Sequence, residues 1–288
     1  MQIDRGVLYT ATAGVLFGVG GVVAANAFAV VEPVVVAQYR SVMAAIVLGF
    51  VAYQRRVTST GGRLGELAVF GAMLASVTIT FYWAIERLGV GMGVTIQFLA
   101  PVLVLVWMRL VQGRHVAGFA WVAAGLAVAG TALMTRAWNL ASLDPVGVLA
   151  GLGAMGSFAA YLLIGERLSS RLPGLTVVAY GFAVSALIWV IVVPPTIVDV
   201  SATAWAQLVW VGLLGTAVPF LLMMSALRST DPGTVGVVAT IEPVVATGGA
   251  WIALGQSLSI VQMVGGIFVV LGVATIQRIV SVRAPAQL

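Results

Sequence analysis

Long apolar runs occupy almost the whole of this chain. A helix that crosses the hydrocarbon core of a bilayer needs about 20 predominantly apolar residues, and ten runs of this kind follow one another along the 288 residues. Hydrophobic residues make up 61% of the chain and charged residues only 8%, a balance that a water-soluble domain could not keep in solution. The sequence therefore predicts an all-α integral membrane protein, with spans near 6–25, 34–53, 65–84, 89–108, 117–135, 146–164, 175–193, 204–223, 234–253 and 261–279.

The arginines predict how these spans are oriented. All 14 basic residues are arginines, and with nine acids they give a net charge of +5. If the N-terminus is cytoplasmic, eleven arginines fall on the cytoplasmic side, Arg87 and Arg136 fall outside, and Arg40 lies inside the second span. Because cytoplasmic loops carry the excess of positive charge, both termini are predicted to be cytoplasmic. Membrane orientation thus accounts for the positive net charge, and no nucleic-acid partner is predicted.

The first apolar run also has features of a cleaved signal peptide. Arg5 precedes it, and Ala27-Phe28-Ala29 follows it as a small-residue motif. Its apolar length exceeds the ~7–15 residues of a signal core, and the internal repeat described next requires this span. We therefore expect the first span to stay in the protein.

The chain contains an internal repeat. A shift of 142 places Gly91 over Gly233 and Pro101 over Pro243, within "YWAIERLGVGMGVTIQFLAP" and "MMSALRSTDPGTVGVVATIEP". Each half then holds five spans, residues 1–140 and 141–288. Because five is odd, the second half runs through the membrane in the opposite sense. Inverted repeats around a central cavity are the architecture of many secondary transporters.

The segments "AIERLGVGMGVTIQFLAP" and "TDPGTVGVVATIEPVVATGGAWIALGQ", with Arg40 in the second span, resemble the drug/metabolite transporter superfamily in its EamA-type branch. Within that branch the chain looks most like the bacterial exporters of aromatic and other amino acids. The resemblance implies ten helices, outward transport and a place in the bacterial inner membrane. One departure is that Arg114 and Gln256 stand where family members often carry a glutamate, so that residue's role cannot be carried over.

Polar residues accompany prolines in the middle of two spans. Pro101 and Pro243 lack an N–H, so the carbonyls of Gln97 and Ala239 lose their helical partners and the helices break. At 1.5 Å per residue, Gln97 and Glu242 lie roughly 12–14 Å into their spans. Broken helices at this depth are tolerated where they line a wet cavity. The prolines thus indicate a central cavity with a role in gating, or they only shape helix packing.

Two charged residues lie inside spans. An ionised carboxylate at the depth of Glu242 must be protonated, paired or hydrated; if it titrates it supports proton coupling, and if it is paired it is structural. Arg40 lies on the outer side of span two. Glu32 is its expected structural partner across the short loop, and anchoring a substrate carboxylate is the alternative.

Aromatic, amide and thioether side chains are the remaining candidates for a cavity lining. They suit an amphipathic substrate with an aromatic or aliphatic body, although any one aromatic is as readily a lipid-facing or interfacial residue. The predicted substrate-binding set is Gln97, Tyr82, Trp83, Phe98, Trp107, Tyr161, Met223 and Met224.

The chain lacks the residues that other function classes need. There is no cysteine, and the one histidine, His115, lies in a predicted cytoplasmic loop, so neither an enzyme nor a metal site is expected. No P-loop is present, and no acid lies between Arg5 and Glu32, where proton-exchanging multidrug exporters need one.

The sequence thus predicts an alternating-access exporter of neutral or amphipathic amino acids and related metabolites. It needs no cofactor, its partners are a small-molecule substrate and membrane lipid, and a monomer is the working expectation. A proton-coupled exporter of drugs or other metabolites and a passive metabolite pore stay open as alternatives.

Overall fold

The computed structural model describes residues 4–88, 90–135, 144–194, 198–254 and 259–283, and the regular secondary structure in these ranges is all helical. Arg136, Gln256 and the predicted repeat boundary at 140 and 141 lie outside these ranges. The helices are α1 (Arg5–Ala27), α2 (Pro33–Gln54), α3 (Leu64–Leu88), α4 (Val90–Gln97), α5 (Ala100–Leu110), α6 (Gly118–Thr135), α7 (Pro145–Ser169), α8 (Gly174–Val192), α9 (Ala202–Gly212), a π-helix (Leu213–Ala217), α10 (Val218–Ala226), α11 (Pro232–Ala239), α12 (Ile241–Leu254) and α13 (Ile260–Arg283).

The predicted membrane architecture is confirmed. In the described ranges, nine helical segments are long and apolar enough to cross a bilayer, and α13 adds a shorter apolar helix over Ile260–Ile276. Seven of the ten predicted spans are single helices. The other three are composite: span four is α4 with α5, span eight is α9, the π-helix and α10, and span nine is α11 with α12.

Polar caps mark where several helices begin. The side chain of Asp4 accepts hydrogen bonds from the first turn of α1, and Asp144, Ser201 and Asp231 do the same for α7, α9 and α11. A cap satisfies backbone N–H groups that have no partner inside the helix. The apolar runs are thus divided into helices by short polar signals at the ends of the spans.

Helix packing follows the symmetry that the repeat predicts. Helix α3 packs along α7 as α1 packs along α10, and α7 contacts α4 as α1 contacts α11 and α12. Two further pairs, α2 with α8 and α6 with α13, each join a span to its own repeat equivalent. Each of these contacts is therefore matched by the contact between the equivalent spans of the other repeat. This is expected for two five-helix repeats around a shared axis.

Ion pairs join α3, α7 and the loop after α5 near the ends of the spans. Arg87 donates to Asp144 at 2.9 Å at one end, and Arg167 lies 3.1 Å from Glu66 at the other. The hydrogen bond from Arg87 lowers the pKa of the Asp144 carboxyl below its ordinary value. Such exposed pairs add little stability individually, but together they fix how α3 lies along α7.

Candidate substrate site

The bundle is sealed at one end of the broken helices. All eight residues of α11 are buried, and α11 packs against α5. A Cβ atom built on Gly236 would lie 3.3 Å from the Cβ of Pro101, and one built on Gly233 would overlap the side chain of Leu105. We call this the sealed end, because α5 and α11 are in close contact there.

The other halves of the same spans are accessible. Residues 94–97 of α4 and 244–249 of α12 are all partly exposed, over consecutive positions that cover every side of each helix. Helix α12 nevertheless packs on α1, and α4 packs on α3 and α7. We call this the open end; the breaks at Gln97 and Ala239 lie between it and the sealed end.

A cluster of polar side chains lies where the helices break. The Nε atom of Arg40 donates to the Thr216 hydroxyl at 3.0 Å, and that hydroxyl donates to the Val211 carbonyl at 2.8 Å. The Tyr82 hydroxyl and the Glu242 carboxyl both lie near enough to the same guanidinium to interact with it electrostatically. We call Arg40, Tyr82, Thr216 and Glu242 the polar cluster. Its members come from α2, α3, the π-helix and α12.

Close helix packing brings the π-helix and α12 to the same place. A Cβ atom on Gly20 of α1 would lie 3.0 Å from the Gly215 Cα in the π-helix, and one on Gly18 would lie 2.8 Å from the Glu242 carbonyl oxygen. Small residues allow membrane helices to approach this closely. Helix α1 therefore holds both Thr216 and Glu242 in position.

Three buried side-chain polar atoms have no hydrogen-bond partner among the described residues: the Oε1 atom of Gln97, the hydroxyl of Tyr161 and the Nε1 atom of Trp189. Leaving a buried polar atom unsatisfied costs about 1–3 kcal/mol. In a protein that changes conformation, such atoms are candidates for contact with a ligand or for pairing in another state.

Seven aromatic rings pack together in the bundle interior. Phe158 stacks on Tyr161 at a centroid distance of 5.9 Å and meets Phe98 at 6.1 Å, while Phe220 meets Tyr161 edge-on at 5.6 Å. This aromatic cluster links α1, α3, α7, α8 and α10 with the break between α4 and α5. Its members are Phe17, Phe70, Phe98, Phe158, Tyr161, Phe182 and Phe220.

The predicted lining residues lie in five different places. Tyr82 joins the polar cluster with Arg40 and Glu242, Gln97 lies at the break of α4, and Phe98 and Tyr161 belong to the aromatic cluster. Trp83 and Trp107 are 56% and 44% exposed at the bundle surface, where tryptophan typically faces lipid. Met223 and Met224 are fully buried, and Met224 packs against Gly165 and Gly174. Trp83, Trp107, Met223 and Met224 are therefore not placed with the polar cluster.

Arg40 has a different partner from the one expected. Glu32 is the exposed N-cap residue of α2 and its side chain makes no capping hydrogen bond, whereas Arg40 donates to Thr216 in the second half of the chain and interacts electrostatically with Glu242. Thr216 was missed by the sequence analysis. Pro219, three residues later within a predicted span, is the sequence signal for a helix interruption near Thr216. Prolines and π-helices both interrupt regular helices, often at functional sites.

The sequence model of the EamA-like transporter family matches this chain twice, over residues 4–136 and 145–278. The chain belongs to the EamA-like transporter family. The two matches correspond to the two halves of the repeat, and the family consists of transporters and not of enzymes. In the described ranges no group of three or more metal-ligating side chains comes together.

Individual relatives of this EamA-like chain include two named transporters. The threonine/homoserine exporter RhtA of Escherichia coli K12 is 30% identical over 203 residues, which are 68% of this chain and 65% of that protein. The alignment thus spans slightly under two thirds of the length of RhtA. The uncharacterized transporter YwfM of Bacillus subtilis is 25% identical over the same share of this chain and 67% of its own.

A solved crystal structure has the same fold as this EamA-like chain. It superposes with a TM-score of 0.82 at 17% identity, covering 99% of this chain and 100% of its own. The likeness extends over both halves and supports the ten-helix arrangement.

Proposed function

We propose that this chain is a secondary transporter that exports amino acids and related small metabolites by alternating access. The observation that carries the proposal is a polar cluster at two broken helices, accessible at the open end and closed off at the sealed end. An alternating-access carrier exposes its site to one side of the membrane at a time. The relationship to a threonine/homoserine exporter supports amino acids as the cargo.

The distribution of arginines supports an orientation in the bacterial inner membrane. The sealed end lies on the side of the bundle that carries most of the arginines, including Arg109 and Arg114 after α5 and Arg228 before α11. The positive-inside rule supports a cytoplasmic location for this side and for both termini; in that orientation the structure is outward-open. Export then requires an inward-open state, in which α5 separates from α11 and α4 approaches α12.

The breaks in α4–α5 and α11–α12 supply the hinges for this exchange. Each break lies between a half-helix at the sealed end and a half-helix at the open end, so the halves can tilt without unfolding the rest of the span. Tyr82 and Gln97 are the proposed substrate contacts on the first repeat. The rings of Phe98 and Tyr161 are the proposed contacts for the substrate's apolar body as the pocket opens towards the cytoplasm.

The proposal is tested with proteoliposomes loaded with radiolabelled threonine or with other single amino acids, with and without an imposed pH gradient. We expect efflux of at least one amino acid above that of protein-free vesicles. Acceleration only in the presence of the gradient supports proton exchange, and gradient-independent efflux supports facilitated transport. Absence of flux for every amino acid overturns the proposed cargo.

Replacing Gln97 or Tyr82 by alanine is expected to lower this efflux about two- to tenfold, because each substitution removes a hydrogen bond worth about 0.5–1.5 kcal/mol. Membrane insertion should not change. Trp83→Ala is the matched control, since Trp83 is adjacent to Tyr82 but exposed at the bundle surface. Unchanged efflux in both the Gln97 and the Tyr82 variant would remove these residues from the site.

A further inference from the structure

Two charged side chains, Arg40 and Glu242, lie well inside spans in the described ranges, and they come from different repeats. Arg40 is the eighth residue of α2, and Glu242 stands at the start of α12, at the break in span nine. Arg40 is the charge that acts on Glu242. The polar cluster therefore combines one basic and one acidic side chain.

The two charges attract each other but do not form a direct ion pair. Over the described residues, no nitrogen of Arg40 lies within 4.0 Å of a Glu242 oxygen. Glu242 is also partly exposed. Charges inside a membrane protein usually pair because isolation in a low-dielectric medium is costly. Neither charge is therefore neutralised by direct contact with the other.

Arg40 is held in an orientation that suits a carboxylate. Its Nε atom is bound to Thr216 at 3.0 Å, and the Thr216 hydroxyl is fixed in turn by the Val211 carbonyl. A guanidinium has five N–H donors in a rigid plane, so this bond leaves the outer N–H groups available for two parallel bonds to a carboxylate. The Tyr82 hydroxyl lies beside the same guanidinium.

Glu242 offers the complementary group. Its carboxylate has acceptors only, and its backbone is held against Gly14 and Gly18 of α1, so the side chain projects from a fixed point. An ammonium group can donate three hydrogen bonds to such an acceptor. In an α-amino acid the ammonium and the carboxylate are separated by a single carbon, which suits two opposite charges that lie close together without touching.

Resting on the proposed function, we propose that this pocket selects zwitterionic α-amino acids by charge matching, with the substrate carboxylate on Arg40 and the substrate ammonium on Glu242. A carboxylic acid without an amino group leaves Glu242 facing a second negative charge. An amine without a carboxylate leaves Arg40 facing a second positive charge. Repulsion of this kind rejects singly charged molecules. Because each repeat supplies one charge, a bound zwitterion also bridges the two halves that move.

The test uses three compounds that share one side chain: threonine, 3-hydroxybutyrate, which lacks the amino group, and 1-aminopropan-2-ol, which lacks the carboxylate. Each is added as an unlabelled competitor of labelled threonine in proteoliposomes. For the unmodified protein we expect competition by threonine and at least tenfold weaker competition by the other two. Glu242→Gln should improve competition by 3-hydroxybutyrate relative to threonine at least tenfold. Arg40→Gln should improve competition by 1-aminopropan-2-ol relative to threonine by a similar factor.

Charge-conserving variants and a binding assay keep the result interpretable. Glu242→Asp and Arg40→Lys should keep the preference for threonine. If a neutral variant does not support flux, ligand-induced thermal stabilisation in detergent gives the same ranking without transport. Normal threonine flux with unchanged selectivity in both neutral variants overturns the charge-matching inference alone, whereas absence of amino-acid flux in the unmodified protein overturns the proposed function.

Discussion

A disulfide between cysteines introduced at positions 101 and 236 is expected to abolish transport, and its reduction is expected to restore it. A Cβ atom on Gly236 would lie 3.3 Å from the Pro101 Cβ, near the separation of about 3.5–4.5 Å found in disulfides. The bond would join α5 to α11 at the sealed end. If export requires these helices to separate, the oxidised protein is held in one half of the cycle and efflux falls to that of empty vesicles.

The chain contains no cysteine, so the double variant Pro101→Cys with Gly236→Cys carries only the two introduced thiols and no other disulfide can form within it. The measurement is threonine efflux before and after oxidation and again after dithiothreitol, with each single variant as a control. If Pro101→Cys alone disturbs the helix break, Leu105→Cys with Gly233→Cys joins the same helices one turn further along. Full efflux from quantitatively cross-linked protein would show that the sealed end does not need to open.

The spans and two of the helix breaks could be predicted because their causes are local. Twenty apolar residues are enough to specify a membrane helix, and the missing N–H of Pro101 or Pro243 acts on a carbonyl four residues away. Accordingly, α4 ends at Gln97 and α11 at Ala239. The π-helix at Leu213–Ala217 has a similar local cause, because Pro219 follows it by two residues and also lacks an N–H.

The partners of Arg40 could not be predicted in this way. Thr216 is 176 residues away in the chain, and the contact exists because α2 packs against the π-helix. Glu32, eight residues before Arg40, is the nearest acid in sequence, but it lies exposed at the N-cap position of α2. A long-range contact depends on the packing of whole helices, which a local pattern does not specify.

The direction of individual aromatic and methionine side chains was equally hard to predict. In a water-soluble helix the polar face identifies the buried face, but a membrane helix is apolar on every side and faces either lipid or protein with similar residues. Trp83 and Met224 are both apolar residues late in a span, yet the first is 56% exposed and the second is fully buried. Only the packing of neighbouring helices separates them.

Gly18→Ala is expected to damage both stability and transport, whereas Gly21→Ala on the same helix is expected to be harmless. A Cβ atom on Gly18 would lie 2.7 Å from the Val245 Cβ and 2.8 Å from the Glu242 carbonyl oxygen, while one on Gly21 would have nothing within 4 Å. Both substitutions improve the intrinsic helix propensity by about 1 kcal/mol. The two variants therefore differ in the contact they make and not in the chemistry of the change.

The backbone of α12 has to move away from α1 in the Gly18 variant, because a backbone carbonyl cannot rotate aside as a flexible side chain can. Overpacking of this kind costs about 1–3 kcal/mol, and each kcal/mol lowers the melting temperature of a large domain by ~2–4 °C. The same displacement carries Glu242 away from Arg40, so threonine efflux should fall at least about tenfold even in correctly inserted protein. Thermal unfolding in detergent and efflux from vesicles, measured on both variants, separate the two effects. Equal melting temperatures and equal efflux would mean that α1 does not hold α12 at the site.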